Sequence, residues 1–524
     1  MIVRILAVAI ALLSGCVAVG GGQAQKPGTV ATQGGLVEGV TANGVTAWLG
    51  LPYAAPPLGD KRWRPPQPAV AWHGVRQASV FAPACLQNGV SMPGETPPAT
   101  HEDCLYLNVW SPVDRHERLP VIVWIHGGGW TNGATAMPLY SGASLARRGV
   151  VFVSIAYRLG PLGFLAHPEL SAEGGGTSGN YGLMDQVAAL KWVQANIAAF
   201  GGDPARVTIA GQSAGGMSVS LLLASPQTEG LFSRAIGQSG GVFEPLQLAP
   251  SYQLAQAEKD GVAYAASVGA KSLAELRALP GEKLLGGKAG SISHPVIEPR
   301  VLPLSPYEAY VAKRSRDVAL LVGANSEEGN SLANLGPVTA ANFDAELKKA
   351  WGGLPPQLSQ AYSYKTDAEA KAARSAFERD LRFGWDMWAW ARLQAKFGGK
   401  PAYYYRFEQS PPFRADSVRH AWGPAHFAEL WYMFDNLLPE DGAWTAGDRR
   451  LADTMAGYWV NFARKGDPNG PGLPTWPVFG AGSGKALLLG PHIAAVDTPV
   501  DTQLRVFDGV YDAVRGTAFG ARKP

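Results

Sequence analysis

Cysteine, metal-ligand clusters and long charged runs are scarce in this chain of 524 residues. Its three cysteines are Cys16, Cys85 and Cys104. No His/Cys/Asp cluster has metal-site spacing and the H-E-x-x-H motif is absent, so the sequence gives no indication of a bound metal. The net charge is only +3, and no long run carries one sign. This balance argues against a partner that is a nucleic acid or a membrane surface.

The abundant residues indicate a large folded core. Hydrophobic residues make up 46% of the chain and charged residues 17%, which suits a globular protein. The 64 glycines and 40 prolines predict many loops. A chain of this length often forms several domains, but large α/β folds also form one. We predict one folded domain over residues 25–524.

The first 24 residues have the pattern of an export signal. Arg4 precedes an apolar run at residues 5–13 that is too short to span a bilayer. Residues 13–16, Leu-Ser-Gly-Cys, are similar to the lipobox of bacterial lipoproteins, in which cleavage leaves an acylated cysteine. Ordinary cleavage near residues 22–24 is the alternative. The sequence therefore predicts a protein that is periplasmic, secreted, or anchored to a membrane through a lipid on Cys16.

Short apolar segments alternate with helical segments through the middle of the chain. Such alternation predicts an α/β fold with a large, mostly parallel sheet covered by helices on both faces. Asn43-Gly44 predicts the turn of a small N-terminal antiparallel hairpin between residues 35–40 and 45–49. The predicted strands are residues 120–125, 149–156, 207–210, 232–238, 318–323 and 402–407, and residues 181–199 are a predicted helix.

Gly211-Gln212-Ser213-Ala214-Gly215 matches the pattern G-x-S-x-G. A predicted strand, residues 207–210, precedes the motif, and a predicted helix, residues 214–224, follows it. In a sharp strand-to-helix turn of this kind the serine hydroxyl is pushed out past the sheet, and the next amide is free to donate. A glycine-rich chain also produces the motif by chance. The flanking strand and helix favour Ser213 as a nucleophile.

A serine nucleophile needs a base, and histidine suits this role because it titrates near neutrality. The chain order in α/β-hydrolases is serine, acid, histidine. His426 follows small residues, which would let its loop approach the serine, so it is favoured over His420. Glu327 and Glu328 directly follow a predicted strand, and either can be the acid. The histidines after Ser213 are His294, His420, His426 and His492.

Residues 120–130 are a predicted strand followed by three glycines and a tryptophan. Glycine lets backbone amides approach a developing negative charge, and each such donor is worth roughly 3–4 kcal/mol. This segment therefore predicts an oxyanion hole. His126 precedes Ser213, which is the wrong chain order for the base, so we interpret it as structural.

Together these segments resemble the type-B carboxylesterase family, which includes cholinesterases, bile-salt-type lipases and bacterial esterases. The likeness extends over about residues 33–509. Other matching segments are EDCLYLNV at 102–109, WIHGGGW at 124–130, YRLGPLGF at 157–164, GNYGLMDQ at 179–186, FGGDP at 200–204 and YWVNFARKGDPN at 458–469. Their number and order make the resemblance specific, and it implies an α/β-hydrolase fold without a cofactor.

The resemblance also assigns roles to individual residues. Ser213 matches the nucleophile, Glu328 the acid and His426 the base, whereas Glu327 falls at a non-catalytic position. The matching oxyanion donors are the amides of Gly128, Gly129 and Ala214. The family's first disulfide and a nearby salt bridge match Cys85–Cys104 and Arg62–Glu102.

Three departures from the family pattern concern the substrate cleft. Gln212 stands where the family usually has glutamate. The neutral amide lowers the negative potential beside Ser213. Trp130 stands where phenylalanine is more frequent, and we expect it to narrow the cleft near the oxyanion hole. The loop between Cys85 and Cys104 contains no Phe, Tyr or Trp. Because cation–π capture of a quaternary ammonium needs such a ring, a choline ester is a poor substrate candidate.

These observations predict a serine hydrolase that cleaves a small-molecule carboxylic ester through an acyl-enzyme. The alternatives are a lipase, or a polyester- or amide-cleaving hydrolase with the same triad. A non-catalytic binding ectodomain is disfavoured because every catalytic element is present. Trp385, Trp388 and Trp390 either line a cleft or pack in the core, and packing is favoured. The oligomeric state is left open.

Overall fold

The structure is a computed structural model that describes residues 28–288, 292–480 and 484–521. The predicted export signal and Cys16 lie outside the described residues. None of the helices given below is both long enough and apolar enough to cross a bilayer.

The strands occur throughout the described chain. They are β1 (Thr29–Thr32), β2 (Gly35–Glu38), β3 (Val40–Ala42), β4 (Val45–Pro52), β5 (Val75–Gln77), β6 (Ala84–Cys85), β7 (Thr100–His101), β8 (Tyr106–Pro112), β9 (Leu119–Ile125), β10 (Val151–Ile155), β11 (Gly202–Gln212), β12 (Arg234–Gln238), β13 (Ala319–Asn325), β14 (Ala402–Phe407), β15 (Lys485–Leu489) and β16 (Ala494–Asp497).

The helices lie between and after these strands. They are α1 (Ala143–Arg147), α2 (Gly160–Phe164), α3 (Pro168–Glu173), α4 (Tyr181–Asn196), α5 (Ala214–Ala224), α6 (Leu254–Ser267), α7 (Leu273–Ala278), α8 (Gly281–Leu285), α9 (Pro306–Val311), α10 (Gly329–Leu332), α11 (Phe343–Trp351), α12 (Pro356–Gln360), α13 (Asp367–Arg379), α14 (Trp385–Phe397), α15 (Leu430–Met433), α16 (Ala446–Lys465) and α17 (Gln503–Arg515). A π-helical turn, Asp380–Gly384, joins α13 to α14.

In the described chain, eleven strands form one sheet in the order β16-β15-β14-β13-β12-β11-β9-β10-β8-β4-β3. Neighbouring strands are parallel from β15 to β10. The pairs at both edges of the sheet are antiparallel. This topology confirms the predicted α/β-hydrolase fold, with a largely parallel centre and antiparallel N-terminal strands.

The central strands are buried on both faces, as β9 illustrates. Val121, Val123 and Ile125 pack into one hydrophobic cluster, whereas Ile122 and Trp124 pack into another. Successive side chains of a strand point to opposite faces, so an uninterrupted apolar run requires helices on both sides. The apolar runs of the sequence therefore identified these strands correctly.

The predicted N-terminal hairpin is right in its turn and wrong in its first strand. Asn43 and Gly44 have positive φ values of 48° and 75°, and their turn joins β3 to β4. Gly35–Glu38 instead belongs to a separate sheet, ordered β1-β2-β5. A second two-residue turn, after Thr32, pairs this segment with β1 and takes it out of the predicted hairpin.

The three tryptophans near the start of α14 are core residues. Trp385, Trp388 and Trp390 are all buried. A Cβ at Gly237, in β12, would overlap the Trp390 ring, so α14 packs directly on the sheet. The packing interpretation is therefore the correct one for these residues.

The fold brings four loops together at one edge of the sheet. β9, β11, β12 and β13 are neighbouring parallel strands, so their carboxyl ends lie side by side. Ligand sites of such sheets occur at this edge.

Candidate active site

Ser213 lies in a strained turn between β11 and α5. Its φ is 57° and its ψ is −129°, a conformation that costs a non-glycine residue energy and persists where its surroundings impose it. A Cβ at Gly211 would overlap the backbone of Gly215, and one at Gly215 would overlap the Ile125 carbonyl oxygen. Both glycines of the motif are therefore required by the packing of α5 against β9 and β11.

The three-glycine segment passes directly beside Ser213. A Cβ at Gly127 would lie 2.9 Å from the Ser213 Cβ. Gly128 and Gly129 have φ values of 106° and 62°, which L-residues with side chains rarely adopt. Ala214 is the first residue of α5, so its amide has no acceptor within the helix. Gly128 and Gly129 thus directly follow the glycine that approaches Ser213, and Ala214 directly follows Ser213 itself.

His426 and Glu328 form a buried pair. His426 Nδ1 lies 2.6 Å from Glu328 Oε2, and their side chains are 1% and 0% exposed. The other carboxylate oxygen, Oε1, accepts hydrogen bonds from Ser239 Oγ at 2.5 Å and from the Asn325 amide at 2.7 Å. Since an ionised carboxylate only accepts, it favours a proton on Nδ1 and leaves Nε2 as the free acceptor.

Neighbouring side chains fix the position of the His426 ring. The Phe383 ring stacks on it, with centroids 4.6 Å apart and an interplanar angle of 1°. Phe383 belongs to the π-helical turn, a distortion that often occurs at functional sites. The Gln212 side-chain nitrogen lies 3.2 Å from Nε2 of the ring. Within the described residues, Ser213 Oγ makes no hydrogen bond to His426.

The other candidate acids and bases lie elsewhere. The exposed Glu327 carboxylate accepts from Asn330 at 2.8 Å. His420 Nδ1 lies 3.4 Å from the Phe413 carbonyl oxygen, His294 stacks on Tyr252, and His492 is exposed. Of the histidines after Ser213, the structure brings His426 to Glu328.

His126 has the surroundings of a structural histidine. It is buried, and its ring stacks on Tyr157 at a centroid distance of 4.6 Å. Burial lowers the pKa of His126 to about 4, because desolvation disfavours the charged ring. The side chain is therefore neutral at physiological pH.

A second buried carboxyl group, Glu429, lies behind the pair and was missed in the sequence analysis. It accepts hydrogen bonds from Asn325 Nδ2 at 2.6 Å and from Gln238 Nε2 at 3.1 Å. Burial, followed by the nearby Glu328 carboxylate, raises the pKa of Glu429 to about 8. Glu429 is thus mostly protonated at neutral pH. The spacing H-x-x-E after His426 is the signal that could have identified it.

The two predicted cleft residues are both buried in this structure. The Trp130 side chain is buried, with 4% exposure, and its Nε1 donates to Ser218 Oγ at 2.9 Å. With a backbone φ of 57°, the Trp130 indole lies in the core. The sequence pattern does not reveal this side-chain orientation. Gln212 has no exposed surface either. Its contact is with His426, so any influence on substrates acts through that ring.

The predicted disulfide and salt bridge are both present. Cys85 and Cys104, which are 19 residues apart, are bonded. Arg62 Nε and Nη2 contact the two Glu102 oxygens at 2.7 and 2.5 Å. These links tie the disulfide loop to the body of the protein.

The arrangement supplies a nucleophile position, a buried acid–base pair and backbone donors at one sheet edge. Such a set suits acyl transfer, in which a serine attacks a carbonyl carbon and amides stabilise the oxyanion. In the described parts of the chain, no group of three or more His, Cys, Asp or Glu side chains is placed to hold a metal ion.

Comparisons with known proteins agree with this site. Residues 26–506 match the model of a family described as the carboxylesterase family. Fumonisin B1 esterase of Sphingopyxis macrogoltabida is 38% identical over 465 residues, which cover 86% of this chain and 84% of that protein. Para-nitrobenzyl esterase of Bacillus subtilis is 34% identical over 501 residues, with coverages of 90% and 96%. A solved PNB esterase structure has a TM-score of 0.79 at 32% identity and covers 92% of this chain and 100% of its own. The chain therefore belongs to the carboxylesterase family and is a serine hydrolase of carboxylic esters.

Proposed function

We propose that Ser213, His426 and Glu328 form the catalytic triad of this esterase. The observation that carries the proposal is the 2.6 Å contact between His426 Nδ1 and Glu328 Oε2. The pair is buried at the sheet edge where the strained Ser213 turn ends. The stacked Phe383 ring and the neighbouring Gln212 hold the imidazole beside that turn.

In the acylation step, Ser213 Oγ attacks the ester carbonyl carbon while His426 Nε2 takes its proton. Glu328 orients the ring and stabilises the imidazolium that forms. The amides of Gly128, Gly129 and Ala214 donate to the oxyanion of the tetrahedral intermediate. The imidazolium then gives its proton to the leaving alcohol, and acyl-Ser213 remains.

Deacylation repeats the sequence with water as the nucleophile. His426 accepts a proton from water, and the resulting hydroxide attacks the acyl carbonyl carbon. Return of the proton to Ser213 Oγ releases the carboxylic acid and restores the enzyme.

Gln212 has to rearrange during this cycle. In the resting structure its amide nitrogen lies 3.2 Å from His426 Nε2 and 3.3 Å from Nδ1, and its buried Oε1 has no partner in the described part of the chain. When Nε2 carries a proton, a half-turn of the amide group presents Oε1 as an acceptor. Gln212 thus stabilises both ring states without adding a negative charge.

We propose that the substrates are small, uncharged esters. The family supports small-molecule esters, and the disulfide loop lacks the aromatic ring that captures a quaternary ammonium. The named substrates of two relatives, para-nitrobenzyl esters and fumonisin B1, belong to those relatives. The para-nitrobenzyl esters are a reasonable first set of probes for this enzyme.

Labelling with a fluorophosphonate tests the triad directly. This probe phosphonylates an activated serine, and peptide mass mapping identifies the modified residue. We expect one adduct on Ser213, no adduct in Ser213→Ala, and slow labelling in His426→Ala. Rapid labelling of His426→Ala would exclude His426 as the base.

We also propose that the protein is exported, on the strength of Arg4, the apolar run that follows it and the lipobox-like Cys16. Labelling of a bacterial host with an alkyne-tagged fatty acid distinguishes the two forms of export. Label that disappears in Cys16→Ser identifies a lipoprotein, whereas an unlabelled, shortened protein outside the cytoplasm identifies ordinary signal cleavage. Full-length protein in the cytoplasm would contradict export.

A further inference from the structure

A cavity of about 630 Å³ lies apart from the residues of the proposed triad. Three segments surround it: residues 81–99 around the disulfide loop, residues 133–139 after the three glycines, and residues 419–441. Neither Ser213 nor His426 belongs to its lining. Its volume falls within the range of pockets that hold small molecules.

The cavity wall is largely apolar. Met92, Met137, Leu139 and Trp431 line it, together with several prolines and alanines. Such surfaces bind hydrocarbon by excluding water, and methionine adapts to ligands of different shape. The wall therefore favours a ligand with an apolar body.

Two charged side chains of the lining neutralise each other. Arg419 Nη1 donates to Asp441 Oδ1 at 2.9 Å, and Arg419 Nε donates to the Pro93 carbonyl oxygen at 3.1 Å. Trp431 Nε1 donates to the other Asp441 oxygen at 2.7 Å. This pair contributes little net charge to the cavity.

Of the lining carboxyl groups that the structure describes, Glu95 and Glu440 form no salt bridge, and Glu440 is exposed. Glu95 lies close enough to Arg419 for that positive charge to offset part of the effect of burial on its pKa. Its Oε2 accepts from Ser91 Oγ at 3.1 Å and from the Met92 amide at 3.2 Å. Its Oε1 is buried and has no hydrogen-bond partner among the described residues. Burial raises the pKa of the Glu95 carboxyl. A donor with a positive charge would satisfy the free oxygen and offset the cost of burying the carboxylate.

The cavity adjoins the candidate oxyanion loop through two residues. Ser91 lines the cavity, and its Cβ lies 3.0 Å from the position that a Cβ on Gly128 would take. The Gln87 side chain accepts from the Gly133 amide and donates to the Gly133 carbonyl oxygen, both at 2.7 Å. Displacement of this part of the disulfide loop would therefore move the backbone beside Gly128.

We propose that this cavity is a second ligand site, which binds an apolar molecule carrying a primary ammonium group. The hydrocarbon part packs against the methionines and prolines, and the ammonium group donates to Glu95. Because Ser91 donates to Glu95 and lies beside Gly128, an occupied cavity changes the rate of ester hydrolysis without filling the catalytic cleft.

Calorimetric titration at pH 7 with n-octylamine, n-octanol and octanoate tests the binding claim. The three probes share a chain length and differ in the head group. We expect n-octylamine to bind most tightly, and its affinity to fall about tenfold or more in Glu95→Gln, which removes one charge-assisted hydrogen bond. Glu117→Gln removes an exposed carboxylate outside the cavity and should leave the affinity unchanged.

A second variant, Ala136→Trp, fills the cavity with a side chain and should weaken all three probes. Thermal unfolding shows whether each variant keeps the wild-type fold. If Ala136→Trp does not fold, the titration of Glu95→Gln alone decides the claim. No binding of n-octylamine to the wild type would overturn the proposal. Equal affinities in wild type and Glu95→Gln would also overturn it.

Kinetics separate this site from the catalytic cleft. Saturating n-octylamine should change kcat for p-nitrophenyl acetate in the wild type and have no effect in Glu95→Gln. Purely competitive inhibition that persists in Glu95→Gln would place the amine in the cleft and contradict a second site. These outcomes do not depend on which residues form the triad.

Discussion

Glu328 and Glu429 are two buried carboxyl groups with different hydrogen-bond partners. Glu328 accepts hydrogen bonds from His426, Ser239 and the Asn325 amide. Burial, followed by the nearby Glu328 carboxylate, raises the pKa of Glu429 to about 8, although the amide groups of Asn325 and Gln238 donate to it and act in the opposite direction. At neutral pH Glu429 is therefore mostly protonated and adds little negative charge beside Glu328.

The raised pKa of Glu429 makes stability depend on pH. The unfolded chain releases this proton near pH 4.5 and the folded protein near pH 8. Between these values the unfolded state binds fewer protons, so the stabilising contribution present below pH 4.5 is lost as the pH rises toward 8. Glu429→Gln should remove this slope. Urea unfolding at pH 5 and pH 8 measures the change in the free energy of unfolding between these two conditions. An equal decrease in the wild type and in Glu429→Gln would contradict the prediction.

Gln212 should set the acid limit of catalysis. A carboxylate at the position of its amide nitrogen, 3.2 Å from His426 Nε2, would stabilise the protonated ring. In Gln212→Glu we therefore expect the acid limb of the kcat/KM profile to move up by about one pH unit. Gln212→Met keeps the site uncharged and serves as the control. An unmoved limb in Gln212→Glu would show that the contact does not act on the ring.

Gln212→Glu also tests charge preference. An added negative charge beside Ser213 should favour cationic esters over neutral ones of the same size. The ratio of kcat/KM for a matched cationic and neutral ester measures this preference. Equal changes for both esters would show that residue 212 does not set it.

The Ser213 turn between β11 and α5 requires glycine because the backbones of β9, β11 and α5 approach each other closely there. A Cβ at Gly215 would overlap the Ile125 carbonyl oxygen of β9. Gly215→Ala should lower the free energy of unfolding by about 3 kcal/mol or more. Gly509 lies exposed in α17 with nothing within 4 Å of an added Cβ, so Gly509→Ala should raise stability by about 0.5–1 kcal/mol. Similar changes in the free energy of unfolding for both variants would contradict the crowding at the Ser213 turn.

Apolar runs and special turns predicted the elements well. β14 and α5 have their predicted bounds, because both carry strong local patterns. The Asn43-Gly44 turn was also right. The predicted strand before this turn was wrong, because the turn after Thr32 pairs Gly35–Glu38 with β1 instead. The inward turn of Trp130 and the stacking of Phe383 on His426 depend on backbone angles and packing, and local sequence does not encode them.

At the level of the whole molecule, the sheet gathers a site from distant parts of the chain. The G-x-S-x-G motif predicted Ser213, and chain order with local composition favoured His426. The family resemblance was needed to choose Glu328 over Glu327 and to assign Gly128. The hydrogen bonds behind these residues were not predicted. Trp459 Nε1 donates to the Gln238 side chain at 3.0 Å, and Gln238 donates to Glu429. These contacts cross the sheet between segments that carry no shared pattern.

The disulfide should contribute substantially to global stability. It closes a segment between residues 19 positions apart, for which chain entropy predicts about 3 kcal/mol. The double variant Cys85→Ser/Cys104→Ser should lose roughly this much in urea unfolding. Reductant should destabilise the wild type and leave the double variant unaffected. Equal stability of the two proteins would contradict a stabilising role.

Hydrolysis of a p-nitrophenyl ester series from acetate to palmitate, with Ser213→Ala beside the wild type, tests the central claim most directly. The account predicts turnover of the short esters and a loss of about 10⁴-fold or more in kcat for a folded Ser213→Ala. Turnover of long esters alone, rising at an oil–water interface, would indicate a lipase instead. A Ser213→Ala variant that keeps most of the wild-type rate would contradict the account.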